Sequence, residues 1–174
     1  VRGELFASGM KFNPEGWVVY KALKGFNNPL GRIKQIKGDF KAENKIVYIS
    51  NGEIKTNASR SVFNGYVDIP SKTIDFHGSL VTDDVRDLMS PYFRRLTGNG
   101  RFEGSVTGKL NDPLIEGAVK VSRASLKDYL IGDIEGEISY RKNLLRIKNL
   151  KAETEHTRHK AEGIIKFPHA VRIF

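Results

Sequence analysis

The chain has 174 residues, of which 39% are hydrophobic and 28% charged, and it carries a formal net charge of +9 and no cysteine. This length and hydrophobic content exclude a disordered chain and suit one folded domain or one section of a repetitive structure. The lack of cysteine excludes disulfides, thiolate catalysis and cysteine metal sites, and the positive charge fits either an anionic partner or a plain solvated basic surface.

The first segment with a pattern, EGWVVYKALKGF at 15–26, is compatible with a helix or with a strand that enters a loop. Beyond it, apolar residues recur at every second position, which is the period of a half-buried strand. No apolar run approaches the ~20 residues that a membrane-spanning helix needs. The first residue, Val1, is typical of an excised or processed fragment.

Short turn signals separate the strands, among them IPSK at 69–72 and LNDP at 110–113. Strands joined by so few residues pair antiparallel, because parallel neighbours need a crossover of about a dozen residues or more. The sequence therefore predicts an antiparallel meander of about eleven strands.

An internal repeat appears at a gapless offset of 98 positions, which places IKGDFKAENKIVYISNGEIKT at 36–56 over IEGEISYRKNLLRIKNLKAET at 134–154. Asn51 then meets Asn149, and the register continues to Pro70 over Pro168. We expect one segment over 1–174 that contains a repeat at about 33–80 and 131–174.

One segment breaks the strand pattern and predicts an amphipathic helix at about 82–96, because its apolar residues fall three and four positions apart. Thr82 or Asp83 can cap its start and Gly98 can close it, while Pro91 predicts a kink or a new turn. Its apolar positions are Val85, Leu88, Met89, Tyr92, Phe93 and Leu96.

A helix of some 14 residues is ~21 Å long and cannot cover the apolar face of so many strands. We therefore expect the sheet to curl into an open groove, a β-taco, in which glycines such as Gly104 keep the interior from filling completely. The residues expected to line this lipid-binding groove are Ile36, Phe40, Phe63, Val67, Ile69, Ile74, Phe76, Leu80, Phe102, Val106, Leu110, Ile115, Val119, Val121, Ile134, Ile138, Tyr140 and Ile147. The alternative is a β-sandwich interaction module, in which the same residues form a packed core with no lipid path.

Motifs for other chemistry give little support to an enzyme. GNGRFEG at 98–104 precedes a strand, whereas a dinucleotide-binding loop follows one and opens a helix. His156 and His159 would point to opposite faces of a strand, which disfavours a metal site. A nucleic-acid groove would interleave aromatic with basic residues, whereas here Arg101 and Lys109 lie opposite Phe102. The sequence predicts no catalysis, no cofactor and no nucleic-acid partner.

Four features, in their order along the chain, resemble the repeats of the AsmA-like and TamB proteins of Gram-negative bacteria. They are an amphipathic helix ending at Gly98, a GxFxGxVxGxL strand at 100–110, an NDPxIxG turn at 111–117, and a xIxGxIxYxxxxLxIxxL hairpin at 133–150. The resemblance is best over 82–167, and the repeat extends it back to about residue 33.

The resemblance implies a segment of a periplasmic bridge-like lipid transfer protein. Its groove would conduct phospholipid acyl chains between the inner and outer membranes and so support outer-membrane biogenesis. It also implies an inner-membrane anchor and membrane contact through parts of a full-length protein outside this chain, and an outer-membrane or envelope protein as a possible partner. The family has no catalytic residues to carry over to this sequence.

Overall fold

The computed structural model describes residues 2–6, 15–21, 33–87, 95–127 and 129–167. These residues form one 11-stranded sheet in which each strand pairs antiparallel with its neighbour in sequence. The strands are β1 (Arg2–Phe6), β2 (Glu15–Lys21), β3 (Gln35–Glu43), β4 (Ile46–Lys55), β5 (Ser59–Asp68), β6 (Thr73–Thr82), β7 (Leu96–Lys109), β8 (Asp112–Leu126), β9 (Tyr129–Arg141), β10 (Leu144–Glu153) and β11 (Arg158–Lys166). The prediction of an all-β antiparallel meander that remains open is confirmed.

The alternation of side chains gives the sheet two chemically different faces. Phe76 pairs with Val106, Val106 with Ile115, and Ile115 with Tyr140. Because directly paired residues lie on the same side of a sheet, apolar side chains collect on one face across consecutive strands. We call this side the apolar face; the intervening residues, such as Ser105, line the opposite side, the polar face.

Bulges in β4, β8 and β10 interrupt the alternation, and each includes a residue with positive φ: Asn51 (52°), Arg123 (55°) and Asn149 (51°). Asparagine tolerates this left-handed conformation better than most residues. The backbone N–H of Asn51 donates to Oδ1 of Asn64 at 2.9 Å, which satisfies a group that the bulge removes from the ladder.

The two halves of the sequence repeat build the same local structure. β4 and β10 begin, bulge and end at positions 98 residues apart. The two-residue hairpin turns before them, at 44–45 and 142–143, both have positive φ at each central residue, as in a type I′ turn.

The segment expected to be a helix differs from the prediction within the described residues. Thr82 is the last residue of β6 and Leu96 the first of β7, and among the described residues between them Val85–Asp87 form a single 3-10 turn. Strand pairing prevails at both ends, because Thr82 pairs with Ser59 and with Gly100. The central part, 88–94, lies outside the described residues. So does 22–26 of the first ambiguous segment, whose residues 15–21 form β2.

The segment that follows β6 is held against the sheet by polar contacts. The Ser59 hydroxyl oxygen lies within hydrogen-bond distance of Oγ1 of Thr82 (2.9 Å) and of Oδ2 of Asp87 (2.6 Å), and Thr56 also hydrogen bonds to Asp87. Val85, only 3% exposed, packs with Val121 and Ala124. The 3-10 turn therefore covers the apolar face at the end of the sheet where β6 stops and β7 starts.

Candidate functional site

The apolar face is the candidate functional site, and sequence alternation located most of it. Directly paired residues form rows that cross the strands of this face. One such row runs without interruption from Phe63 through Gly78, Gly104 and Gly117 to Ile138. The expected lining residues that lie on this face are Ile36, Phe40, Phe63, Val67, Ile74, Phe76, Leu80, Phe102, Val106, Ile115, Val119, Val121, Ile134, Ile138, Tyr140 and Ile147.

Ile69 and Leu110 do not belong to this face, which corrects their place among the expected lining residues. Both lie in hairpin turns and are 55% and 51% exposed. Their backbone N–H groups donate to the carbonyls of Lys45 and Lys72 in the neighbouring turns, at 3.1 and 2.9 Å. The alternation of apolar and polar residues continues through these positions in the sequence. In the structure, however, the strand has already ended and the chain is turning.

The structure adds to this face apolar residues that were not among the expected lining residues. They lie on β4 and β10, on both sides of the bulges, and they are Val47, Ile49, Ile54, Leu145, Leu150 and Ala152. The signal that could have found those beyond the bulges is an asparagine in mid-strand, followed by a shift of the apolar positions from odd to even or the reverse.

Four central glycines of this face lie against phenylalanine rings, which corrects the expectation that the glycines leave the interior unfilled there; they are Gly52, Gly65, Gly104 and Gly117. A Cβ atom added to Gly104 would lie 2.7 Å from Cζ of Phe102, and one added to Gly117 would lie 2.8 Å from Cε2 of the same ring. Phe63 covers Gly52 in the same way, with ring atoms at 2.6–2.9 Å. The rings thus lie close over the backbone and cover polar groups that a glycine would expose.

The aromatic rings also contact one another, so the surface between the covered glycines is continuous. Phe63 and Phe76 meet edge to face, with centroids 5.7 Å apart and planes at 84°. Such a contact contributes about 0.5–1.5 kcal/mol beyond the area that it buries. Ser61 is the polar residue within this region, and its hydroxyl donates to the carbonyl of Ser79 at 3.2 Å. The face therefore presents hydrocarbon to its surroundings.

The middle of the apolar face is half-buried and not sealed. Phe63, Phe76, Phe102, Val106 and Ile138 are all partly exposed. Side chains at the centre of a two-layer core are usually fully buried. Among the described residues, the fully buried hydrophobic ones lie at the Val85 end and at the margin formed by β10 and Phe167. The described strands form one sheet and supply no second sheet against this surface.

Two shallow depressions, of about 570 and 330 Å³, lie on the polar face. The larger is lined mainly by Asn64, His77, Ser79, Glu103 and Ser105. Neither includes the aromatic residues of the apolar face, so these depressions are not the expected groove interior.

The polar face carries a concentrated charge cluster around Glu53, which is only 3% exposed. Its carboxylate lies 2.7 Å from Nζ of Lys37, 2.9 Å from Nζ of Lys55 and 3.1 Å from Nε of Arg60. The hydrogen bonds from Lys37 and Lys55, followed by that from Arg60, lower the pKa of Glu53 to about 2. Hydrogen bonds and charge from Arg141 similarly lower the pKa of Asp112, which lies at the start of β8.

The described ranges offer few groups for a membrane-spanning or metal-binding function. There, no helix has the length and apolar character needed to cross a bilayer, and no group of three His, Asp or Glu side chains could hold a metal ion. His156 lies in the turn between β10 and β11, and His159 lies on β11.

Comparison of the chain with protein-family models, with curated proteins and with solved structures finds no match.

Proposed function

We propose that this chain is a segment of a bridge-like lipid transfer protein similar to the AsmA-like and TamB proteins, and that its apolar face guides phospholipid acyl chains. The observation that carries the proposal is the continuous apolar surface from β3 to β10, whose central residues remain half-buried. Apolar surface left accessible at this scale marks a site that another molecule covers.

The direction of the rows suits transport better than storage of one ligand. The rows cross the strands, so a hydrocarbon chain can pass from one strand to the next without meeting a charged side chain. Contacts of this kind contribute about 25 cal/mol per Å² and have no preferred direction. A chain that slides along the rows exchanges one set of contacts for an equivalent set, which keeps the barrier to movement low.

In this proposal the chain works in the periplasm as part of a longer protein that is anchored in the inner membrane. The acyl chains lie on the apolar face, and the phospholipid headgroups remain in water beyond its margins. Neighbouring segments or an envelope protein continue the path toward the outer membrane. No step of this function requires a catalytic residue or a cofactor.

Site-specific photocrosslinking tests the proposal on the full-length protein in cells. A photoreactive amino acid replaces Val106 or Ile138 on the apolar face, and Ser105 or Glu137 on the polar face serves as the adjacent control. We expect phospholipid adducts at the first pair only, detected by mass spectrometry of the purified protein.

Equal labelling on both faces would mean that lipid contacts the sheet without preference and would contradict the proposal. Protein adducts without lipid at Val106 and Ile138 would favour the alternative, an interaction module whose apolar face binds another protein.

A further inference from the structure

A second surface of this protein is a line of positive charge on the polar face, which has no part in acyl-chain binding. Cross-strand pairing aligns one residue from each strand between β4 and β11. In order, this row contains Lys55, Arg60, Val81, Arg101, Lys120, Glu135, Lys151 and Lys160. We call it the basic row; at a strand spacing of about 4.8 Å it is about 34 Å long.

The row places like charges directly opposite each other. Lys55 pairs with Arg60, Arg101 with Lys120, and Lys151 with Lys160. Like charges in such positions destabilise a sheet. Glu53 relieves the first pair. Glu135 lies 4.0 Å from Nζ of Lys120 and 3.4 Å from Nζ of Lys151, and Arg101 has a 3.5 Å contact with the exposed Glu103, so one carboxylate is shared by two cations and the other contact is long. An anionic ligand would relieve the remaining repulsion.

Positive charge is densest along the basic row, where six of the eight residues are cations and one is an anion, and this decides the shape of the ligand. The adjacent rows carry a carboxylate excess: Glu53, Glu103 and Glu137 outnumber Lys37 and Lys148 on one side, and Asp133 and Glu153 outnumber Arg158 on the other. A flat anionic membrane or a nucleic-acid duplex would cover these carboxylates together with the basic row. An extended single chain can follow the cations and avoid most of the repulsion.

The chemistry at the centre of the row favours a polysaccharide. The depression of about 330 Å³ lies here, with Arg101, Lys120 and Lys151 beside Glu103 and Glu135, above a floor that includes Ala118 and Gly136. Cations can bind acidic groups of the chain, while carboxylates accept hydrogen bonds from sugar hydroxyls. Neither the basic row nor the row through Glu103 contains an aromatic residue on which the bases of a single-stranded nucleic acid could stack.

We propose that the basic row binds an extended acidic polysaccharide, which lies across the strands and is held by its carboxylate, sulfate or phosphate groups. The sheet then has two ligands, hydrocarbon on one face and an acidic glycan on the other. The glycan site does not depend on the lipid proposal, because no residue of the basic row lies on the apolar face.

The test measures binding of a fluorescent heparin decasaccharide, a linear acidic polysaccharide, to the whole chain by anisotropy at several salt concentrations. The row variant combines Arg101→Gln, Lys120→Gln and Lys151→Gln. The matched control combines Lys41→Gln, Lys109→Gln and Lys166→Gln, which remove the same net charge from strand positions outside the row.

We expect the row variant to bind about tenfold or more weakly and to lower the slope of log K against log salt by about two, while the control changes affinity by about twofold or less. The row variant should melt close to the wild type, because it removes the repulsion between Arg101 and Lys120 together with the exposed ion pairs of Lys120 and Lys151 with Glu135, which contribute little. Lys120→Gln alone, at a side chain 62% exposed, should weaken binding by a smaller factor. Equal losses in the two triple variants, tighter binding of oligo-dT or of anionic vesicles than of the decasaccharide, or no binding by the wild type would each overturn the proposal.

Discussion

At the scale of single residues, Glu53 links the charge of the polar face to stability. Its folded-state pKa of about 2 lies below the ordinary value of 4.5. A lowered pKa means that the ionised form stabilises the folded state above about pH 4.5 and that this contribution is lost as the pH falls toward 2.

We therefore expect Glu53→Gln to lower the free energy of unfolding at pH 7, where it leaves three cations without their shared carboxylate. The difference from the wild type should shrink between pH 4.5 and 2, as followed by urea denaturation at each pH. Glu103→Gln is the control, because Glu103 is 69% exposed and makes only a long contact with Arg101. A difference for Glu53→Gln that stays constant across this range would show that the carboxylate is not the source of the stability.

The glycines that lie against phenylalanine rings lead to a second prediction about single residues. Gly104→Ala would bring a methyl group against the Phe102 ring and the carbonyl of Glu116, and the strand backbone cannot yield there. We expect a loss of about 1–3 kcal/mol in the free energy of unfolding, measured in urea.

Gly163→Ala is the matched control, because nothing lies within 4 Å of a Cβ at that position on β11. It should change stability by no more than about 0.5 kcal/mol. If the two substitutions had the same effect, the close packing of the Glu116 carbonyl and the Phe102 ring against Gly104 would not contribute to the stability of the sheet.

At the scale of elements, the strands could be predicted from the sequence. The bulges that shift the alternation of apolar and polar residues between the two faces could not. The run from Phe102 to Gly108 keeps strict alternation, so its faces could be assigned from the sequence alone. In β4 the alternation places Ile49 and Glu53 on one face, but the bulge at Asn51 moves Glu53 to the polar face, where it meets Lys37. A single left-handed residue thus decides the side on which a charge lies, and periodicity carries no information about it.

The segment after β6 shows that the ends of an element are harder to predict from the sequence than its buried residues. The helical spacing of its apolar residues identified Val85 as a residue that covers the sheet, and Val85 is buried. The predicted boundaries were wrong because strand pairing extends β6 through Thr82 and begins β7 at Leu96. Ladder hydrogen bonds at these positions outweigh the local preference for helix, a long-range effect that a sequence window does not contain.

At the scale of the whole molecule, each described strand has its main contacts with its neighbours in sequence. Stability in such an arrangement approximates a sum of interfaces between neighbours, as in repeat proteins. The buried cluster of Val85, Val121 and Ala124 fastens β7, β8 and β9 beyond their ladders. By contrast, every residue of β11 is exposed, and among the described strands β11 pairs only with β10.

We therefore expect hydrogen exchange measured by mass spectrometry to show the strongest protection in β7 and β8 and progressively weaker protection through β10 to β11. The gradient follows from local opening at the free edge, which breaks one ladder, whereas opening at β8 breaks two ladders and exposes the buried cluster. Ala124→Ser should reduce protection in β7–β9 and leave β4 and β5 nearly unchanged, since coupling between distant strands passes through every interface that separates them. Uniform protection across all strands, lost together in this variant, would instead require a second layer that ties the sheet into one cooperative core, and would contradict the accessible apolar face on which lipid binding depends.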